Sequence, residues 1–218
     1  MSTAPEKAPS PETIRRALGE FQITVNDKQV VYIQRYIRML LHWNDKLNLT
    51  AIREPLEILH RHFCESMFAG LAVPIDKGRI ADIGSGPGFP GLPLKILNPD
   101  LELILVESNI KKGTFLAELV RELELEGARV LISSYEELGE EIAPVDFLLS
   151  RALGEFPAFL EWAALDRVSA QSVVLWIGGR DLEEVQKLPL WQWREPIPVP
   201  NSLRRYLLVG SKADKLSA

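Results

Sequence analysis

Three glycines at alternate positions, Gly84, Gly86 and Gly88, follow the short apolar residues Ile80, Ala81 and Ile83, and Asp82 stands just before them. The apolar run suits a buried strand. The glycines tolerate positive φ and carry no Cβ, so the backbone can turn sharply and approach a flat or charged ligand closely. Pro90 and Pro93 come next, at positions that predict a helix over residues 88–98 entered from the loop. Strand, glycine loop and helix place a ligand at the carboxyl end of a strand in an open α/β sheet. A second apolar run, residues 101–106, ends in Glu107, nineteen positions beyond Gly88 and suitably placed to accept hydrogen bonds from ribose hydroxyls. Adenosine-containing cofactors are therefore the leading class, and two compete. Gly86, Gly88 and Gly91 formally satisfy G-x-G-x-x-G, but Pro87 and Pro90 remove N–H groups that a dinucleotide pyrophosphate needs. S-adenosylmethionine has no phosphate, needs only close backbone approach, and offers a positive charge that Asp82 can meet.

The elements that must hold this loop fall into two parts. The chain has 218 residues, 46% hydrophobic and 25% charged, with a net charge of −5, which allows one substantial core plus an accessory piece. Residues 1–78 hold 10 Lys+Arg against 9 Asp+Glu and the remainder 15 against 21, so the acidic excess lies in the second part. The single Cys64 excludes an internal disulfide, argues against a cysteine-based zinc site and fits a reducing cytoplasm. No apolar run approaches a membrane span, and the polar, proline-rich residues 1–12 read as a disordered leader without a signal-peptide pattern.

Ser10 and Pro11 predict a capped helix over Pro11–Gly19. Val30, Ile33, Ile37, Leu40 and Leu41 then give an amphipathic helix ending near Lys46. The close-set Trp, Asn, Asp and Thr of residues 42–52 suggest either function or side-chain capping. Pro55 opens a third helix with Leu56, Leu59, Phe63 and Met67 on one face, carrying His60, Arg61 and His62; no His pair at i, i+4 supports a metal. From Arg79 the chain alternates strand and helix: a helix over 110–125, strands over 129–132 and 146–150, a helix over 155–165 and a strand over 172–177 that ends in Gly178 and Gly179. Ser133, Ser134, Tyr135 and Glu136 follow the third strand, beside the glycine turn, where Tyr135 can flank an adenine. Arg151 stands at the exit of the fourth strand, nearest the reacting end of a bound cofactor. The tail reads as two late strands joined by a proline-rich turn. The expected divisions are the leader 1–12, a helical extension 13–76, a sheet domain 77–212 and a tail 213–218.

The order of these segments resembles the RsmG (GidB) family. DIGSGPGFPG, the strand end at Glu107 followed by Lys111, Lys112 and Phe115-Leu116, then Tyr135-Glu136-Glu137 and Ser150-Arg151-Ala152, occur as in that family. Trp43-Asn44 with Asn48-Leu49-Thr50, and His62 with Glu65-Ser66, resemble its N-terminal segments, so the likeness covers roughly residues 25–210. It implies a class I S-adenosylmethionine-dependent methyltransferase fold, α/β and Rossmann-like, with a mostly parallel seven-stranded sheet, helices on both faces and an N-terminal helical extension. It implies methylation of N7 of one guanine in bacterial 16S ribosomal RNA, with the rRNA or small subunit as partner, and cofactor contacts at Gly84, Phe89, Tyr135, Glu136 and Arg151. Glu107 and Glu65 stand where the family usually has Asp, and Gly178 stands where it usually has Lys.

Guanine N7 carries an unprotonated lone pair, so no catalytic base is expected and alignment does the work. The expected cofactor set is Asp82, Gly84, Gly86, Gly88, Phe89, Glu107, Tyr135 and Glu136, with Arg151 as a bridge between cofactor and RNA. Lys111, Lys112, Arg53, Arg61, Arg204 and Arg205 are candidates for RNA phosphates. A cytoplasmic monomer without metal is expected. The rival readings are a non-catalytic rRNA-binding or assembly factor that keeps the cofactor pocket, and an NAD-dependent oxidoreductase.

Overall fold

The computed structural model describes residues 8–151 and 153–212, so Ala152, the first part of the leader and the tail from 213 lie outside the described residues. Five parallel strands form the heart of the sheet: β1 (Arg79–Ile83), β2 (Glu102–Val106), β3 (Ala128–Leu131), β4 (Val145–Arg151) and β5 (Ala170–Gly178). Three more follow: β6 (Trp191–Trp193), β7 (Ile197–Pro198) and β8 (Arg205–Lys212). Along the order β3-β2-β1-β4-β5-β8-β6 the sheet has the expected mostly parallel seven-stranded path, β8 running antiparallel to both β5 and β6. The two-residue β7 pairs with β8 off this path, so the tail holds three strands rather than two. Proline at 198 limits β7 to a short edge piece, because it has no N–H for a ladder.

Helices cover both faces. α1 (Pro11–Gly19) starts at Ser10, whose hydroxyl accepts from Thr13 N, and α2 (Asp27–Leu47) starts in a capping box between Asn26 and Gln29. Val30, Ile33, Ile37 and Leu40 are buried as the helical spacing predicts, and Tyr36 joins their stripe. The segment 48–52 resolves as capping: Asn44 Nδ2 donates to Thr50 O and Thr50 N donates back to Asn44 Oδ1.

Two expected helices are corrected. The one opened by Pro55 is interrupted: α3 (Pro55–Ile58) runs into a π-helical turn, Leu59–Cys64, before α4 (Glu65–Ala72). The wider turn shifts the face, so Leu59, Phe63 and Met67 are buried while Leu56 is exposed. The helix after the glycine loop, α5 (Gly91–Leu97), begins at Gly91 and not at residue 88, because Gly84, Gly86 and Gly88 hold φ of 70°, 56° and 103°. α6 (Ile110–Glu122) follows β2, α7 (Phe156–Ala163) follows β4 and α8 (Gly179–Val185) follows β5.

Side chains alternate across β1. Ile80 packs in the core shared with α1, α2 and the π turn, while Ala81 and Ile83 pack in the core built with α7. The extension and the sheet thus share one hydrophobic cluster, and the carboxyl ends of β1, β2 and β4 meet beneath the extension.

Candidate active site

The glycine loop is tied to the neighbouring strand by its own backbone. Gly84 N and Ser85 N both donate to Val106 O, at 2.9 and 3.0 Å. Glu107, only 6% exposed, adds a second tie: Oε2 accepts from Gly86 N and Oε1 from Asn109 N, each at 2.8 Å. The carboxylate expected to meet a ribose is therefore already a brace between the loops after β1 and β2. A crevice of about 170 Å³ lies alongside, bordered by Gly84, Val106, Ser133, Tyr135, Glu136 and Leu153. The Tyr135 ring is fixed edge-on against Phe159 and Trp162. Glu136 is exposed, and the Ser134 hydroxyl beside it holds its carboxyl below the usual range. A Cβ at Gly84 would stand 2.6 Å from Leu153 Cδ1, at the end of a side chain that can move, so it is the φ of 70° that favours glycine there.

Beneath the loop, Asp82 is fully buried. Oδ2 accepts from Gly91 N at 2.9 Å, and Oδ1 has no partner. Burial pushes its carboxyl up from 3.8 to about 7, against the pull of the Gly91 N–H and of Arg151. The other wall belongs to the helical extension. Phe89 stacks between His62 (4.5 Å, 14°) and Tyr36 (5.1 Å, 2°), and Tyr36 Oη donates to Pro87 O at 2.6 Å. Burial holds the Tyr36 hydroxyl well above its usual range, so it remains a donor. A Cβ at Gly88 would fall 2.5 Å from both Leu92 Cδ1 and Tyr36 Oη, on a residue with φ of 103°. Gly88→Ala is expected to destabilise the chain by about 2–3 kcal/mol. Thermal melting checks this, and an unchanged midpoint would mean that the loop does not need this contact.

Three of the expected basic residues converge on one carboxylate. Glu65, at the start of α4 and 3% exposed, lies 2.7 Å from Arg205 Nη2, 3.3 Å from Arg151 Nη2 and 3.7 Å from Arg61 Nε. Trp176 Nε1 donates to the Glu65 carbonyl at 3.0 Å and locks the turn in place. Burial raises the Glu65 carboxyl and the arginines oppose it. Burial first, then Arg151 and Arg61, push His62 down to about 3, so its ring is neutral at physiological pH. His62 Nε2 lies 3.0 Å from Thr50 Oγ1.

A comparison with known families matches residues 29–190 to the family described as rRNA small subunit methyltransferase G (GidB). The chain belongs to this family. A methyltransferase G of Xanthomonas oryzae pv. oryzae is 46% identical over 82% of this chain and 85% of its own. One from Xanthomonas euvesicatoria is 39% identical over 82% and 84%. The match to the Lactococcus lactis subsp. cremoris SK11 protein, at 37% identity, takes in 70% of this chain and 66% of that one. The fold recurs in a SAM-dependent methyltransferase from Aquifex aeolicus (TM-score 0.57, 16% identity, 76% of this chain and 97% of that one). It recurs also in the METTL16 methyltransferase domain (TM-score 0.57, 14% identity, 94% and 93%).

The remaining basic residues stand apart from Glu65. Lys111 and Lys112 open α6 beside Asn109, which caps their N–H groups, on the Glu107 side of the crevice. Arg53 pairs with Asp45 at 3.0 Å on the surface of the extension. Arg204 is exposed in the turn before β8, where its carbonyl accepts from Gly179 N. Gly178, where the resemblance puts a lysine, lies in register with Arg205 on the adjacent strand. Sequence reasoning missed the centre of the cluster: Glu65 was only part of a motif, and Tyr36 was passed over although it sits three residues from Ile33 on the buried stripe.

Proposed function

We propose that the chain transfers the methyl group of S-adenosylmethionine to N7 of a specific guanine in bacterial 16S ribosomal RNA. One observation carries the reading. The family match over residues 29–190 contains the glycine loop, Glu107, Tyr135-Glu136 and Arg151 together, and the fold draws them to one sheet edge. The residues present fit such a cofactor: the loop has no Cβ at Gly84, Gly86 or Gly88, and Asp82 Oδ1 is a buried acceptor without a partner.

When bound, S-adenosylmethionine supplies an electrophilic sulfonium methyl. The chain's part is to hold and orient. Gly84, Gly86, Gly88 and Phe89 shape the cradle, Glu107 braces it, Tyr135 and Glu136 border its far side, and Asp82 sets the charge beneath it. Arg151 bridges to the RNA. Guanine N7 attacks with its own lone pair, so no proton is removed before transfer and no general base is assigned. The guanine leaves its stack to reach a methyl group held at the sheet edge. Lys111, Lys112, Arg53, Arg61, Arg204 and Arg205 serve the phosphates. Among the described residues no helix is long and apolar enough to cross a membrane, and no group of three potential ligands could hold a metal. We place the enzyme in the cytoplasm as a monomer, with residues 13–76 and 77–212 as its extension and methyltransferase parts.

Transfer of labelled methyl to small subunits and to naked rRNA lacking the modification, followed by mapping of the base, tests the reading. A single N7-methylguanine is expected; cofactor and RNA binding without transfer would favour the assembly-factor alternative instead. Lys111→Ala and Lys112→Ala should each reduce the slope of log affinity against log salt by about 0.7–0.9. Unchanged slopes in filter binding would remove these lysines from the RNA face.

A further inference from the structure

One carboxylate does not satisfy the three arginines gathered on it. With Glu65 ionised, its single charge faces those of Arg61, Arg151 and Arg205, and only Arg61 has a further partner, Glu57 at 3.5 Å. Asp82 acts on Arg151 through space, but its burial leaves it only partly ionised at neutral pH. The hydrogen bonds are short of acceptors in the same place. Arg151 Nη1, Arg205 Nε, Arg61 Nε, His62 Nδ1 and Ser66 Oγ are all buried without a hydrogen-bond partner. A buried donor on a charged group is costly when left unmade, and excess buried charge more so. The Arg61 and Arg205 side chains remain 40% and 34% exposed and Arg151 15%, so the cluster is open to solvent on one side and closed on the other.

We propose that Arg61, Arg151 and Arg205 form a built site for one further oxyanion, held ready by Glu65. Glu65 is the positioning residue. It takes one Nη2 each from Arg151 and Arg205 and leaves Arg151 Nη1 and Arg205 Nε to donate. Forked guanidinium groups suit carboxylate and phosphate oxygens, which these two share. The origin of the anion rests on the methyltransferase reading: it is the carboxylate of the cofactor's amino-acid end or a backbone phosphate of the RNA. The site lies at the end of β4, beside β1, which leads into the glycine loop.

The test uses the full chain and three probes. Inorganic phosphate, at ionic strength held constant with chloride, is expected to raise the melting temperature of the wild type and not of Arg205→Gln or Arg61→Gln. Calorimetry with S-adenosylhomocysteine and with 5′-methylthioadenosine, which lacks the carboxylate, forms the second arm, and rRNA binding against salt the third. A tenfold or greater loss for S-adenosylhomocysteine alone in Arg205→Gln identifies the cofactor carboxylate. A salt slope lowered by about 0.7–0.9, with both small ligands unchanged, identifies an RNA phosphate. Glu65→Gln should weaken the same ligand while all three arginines remain. Equal phosphate stabilisation in wild type and variants, with both other arms unchanged, overturns the site. If the wild type binds neither S-adenosylhomocysteine nor rRNA, the functional reading fails, and the phosphate arm still decides the site. Arg61 is the more exposed of the two, so its variant remains informative if Arg205→Gln does not fold.

Discussion

Replacing Arg151 by alanine is expected to lower kcat/KM for methyl transfer by on the order of a hundredfold while the chain still folds. Arg151 ends β4, next to β1 and the glycine loop, and its guanidinium is held between Glu65 and the buried face of the sheet. In the proposed function its loss removes the group that ties the cofactor side to the RNA side, and misplacement of a reacting atom by about 1 Å has a cost of that size. The fold should tolerate the change, because Glu65 keeps Arg205 at 2.7 Å and Arg61 at 3.7 Å. The expected stability loss is about 1–3 kcal/mol. Steady-state kinetics with melting on the same samples separate the two effects. Turnover within twofold of wild type in a folded variant would take Arg151 out of the reaction. Arg151→Lys should recover only part of the rate, since it keeps the charge and loses the fork.

The second large effect concerns Asp82. Its carboxyl titrates near 7 in the folded chain against 3.8 as a free group, so folding favours the protonated form. The contribution is fully present below about pH 4. It is lost as the pH rises through 7, where the unfolded chain has already released its proton and the folded chain must ionise a buried acid. The displacement corresponds to about 4 kcal/mol. Asp82→Asn keeps an oxygen for Gly91 N and cannot ionise. The cofactor-free variant should therefore match the wild type at pH 4 and exceed it progressively up to pH 8, by up to roughly 10 °C in Tm. Cofactor binding should run the other way. A cationic ligand favours ionised Asp82, so wild-type affinity should fall by up to about tenfold for each pH unit below 7, and the variant should lose that dependence. Melts and calorimetry across pH 4–8 check both halves; parallel curves for wild type and variant would show that Asp82 does not titrate in this range.

Local chemistry made the centre of the site readable from sequence. Alternate glycines after an apolar run can do little other than turn sharply, and an acidic residue after the next run follows from the geometry of parallel strands. The five parallel strands were legible because each is a short, largely apolar run, and all but β3 have an α-helix after them. The contacts around Glu65 were not, because two of its three partners, Arg151 and Arg205, lie 86 and 140 positions away along the chain and only the fold brings them to it. The π turn was also silent. Residues 59–64 contain no glycine or proline, so their composition gives no local mark of a widened turn. Glu107 is expected from its position to meet ribose hydroxyls; its bonds to Gly86 and Asn109 depend on a side-chain reach that strand spacing does not reveal.

The stack of His62, Phe89 and Tyr36 has a consequence for engineering and for descent alike. The helical extension is not a detachable address label fixed to a general-purpose catalyst. It supplies both rings that clamp Phe89, the residue after the last loop glycine, and the hydroxyl that pins Pro87. A change of RNA target by exchanging residues 13–76 for another recognition module would therefore dismantle the cofactor cradle unless Tyr36 and His62 travelled with the graft.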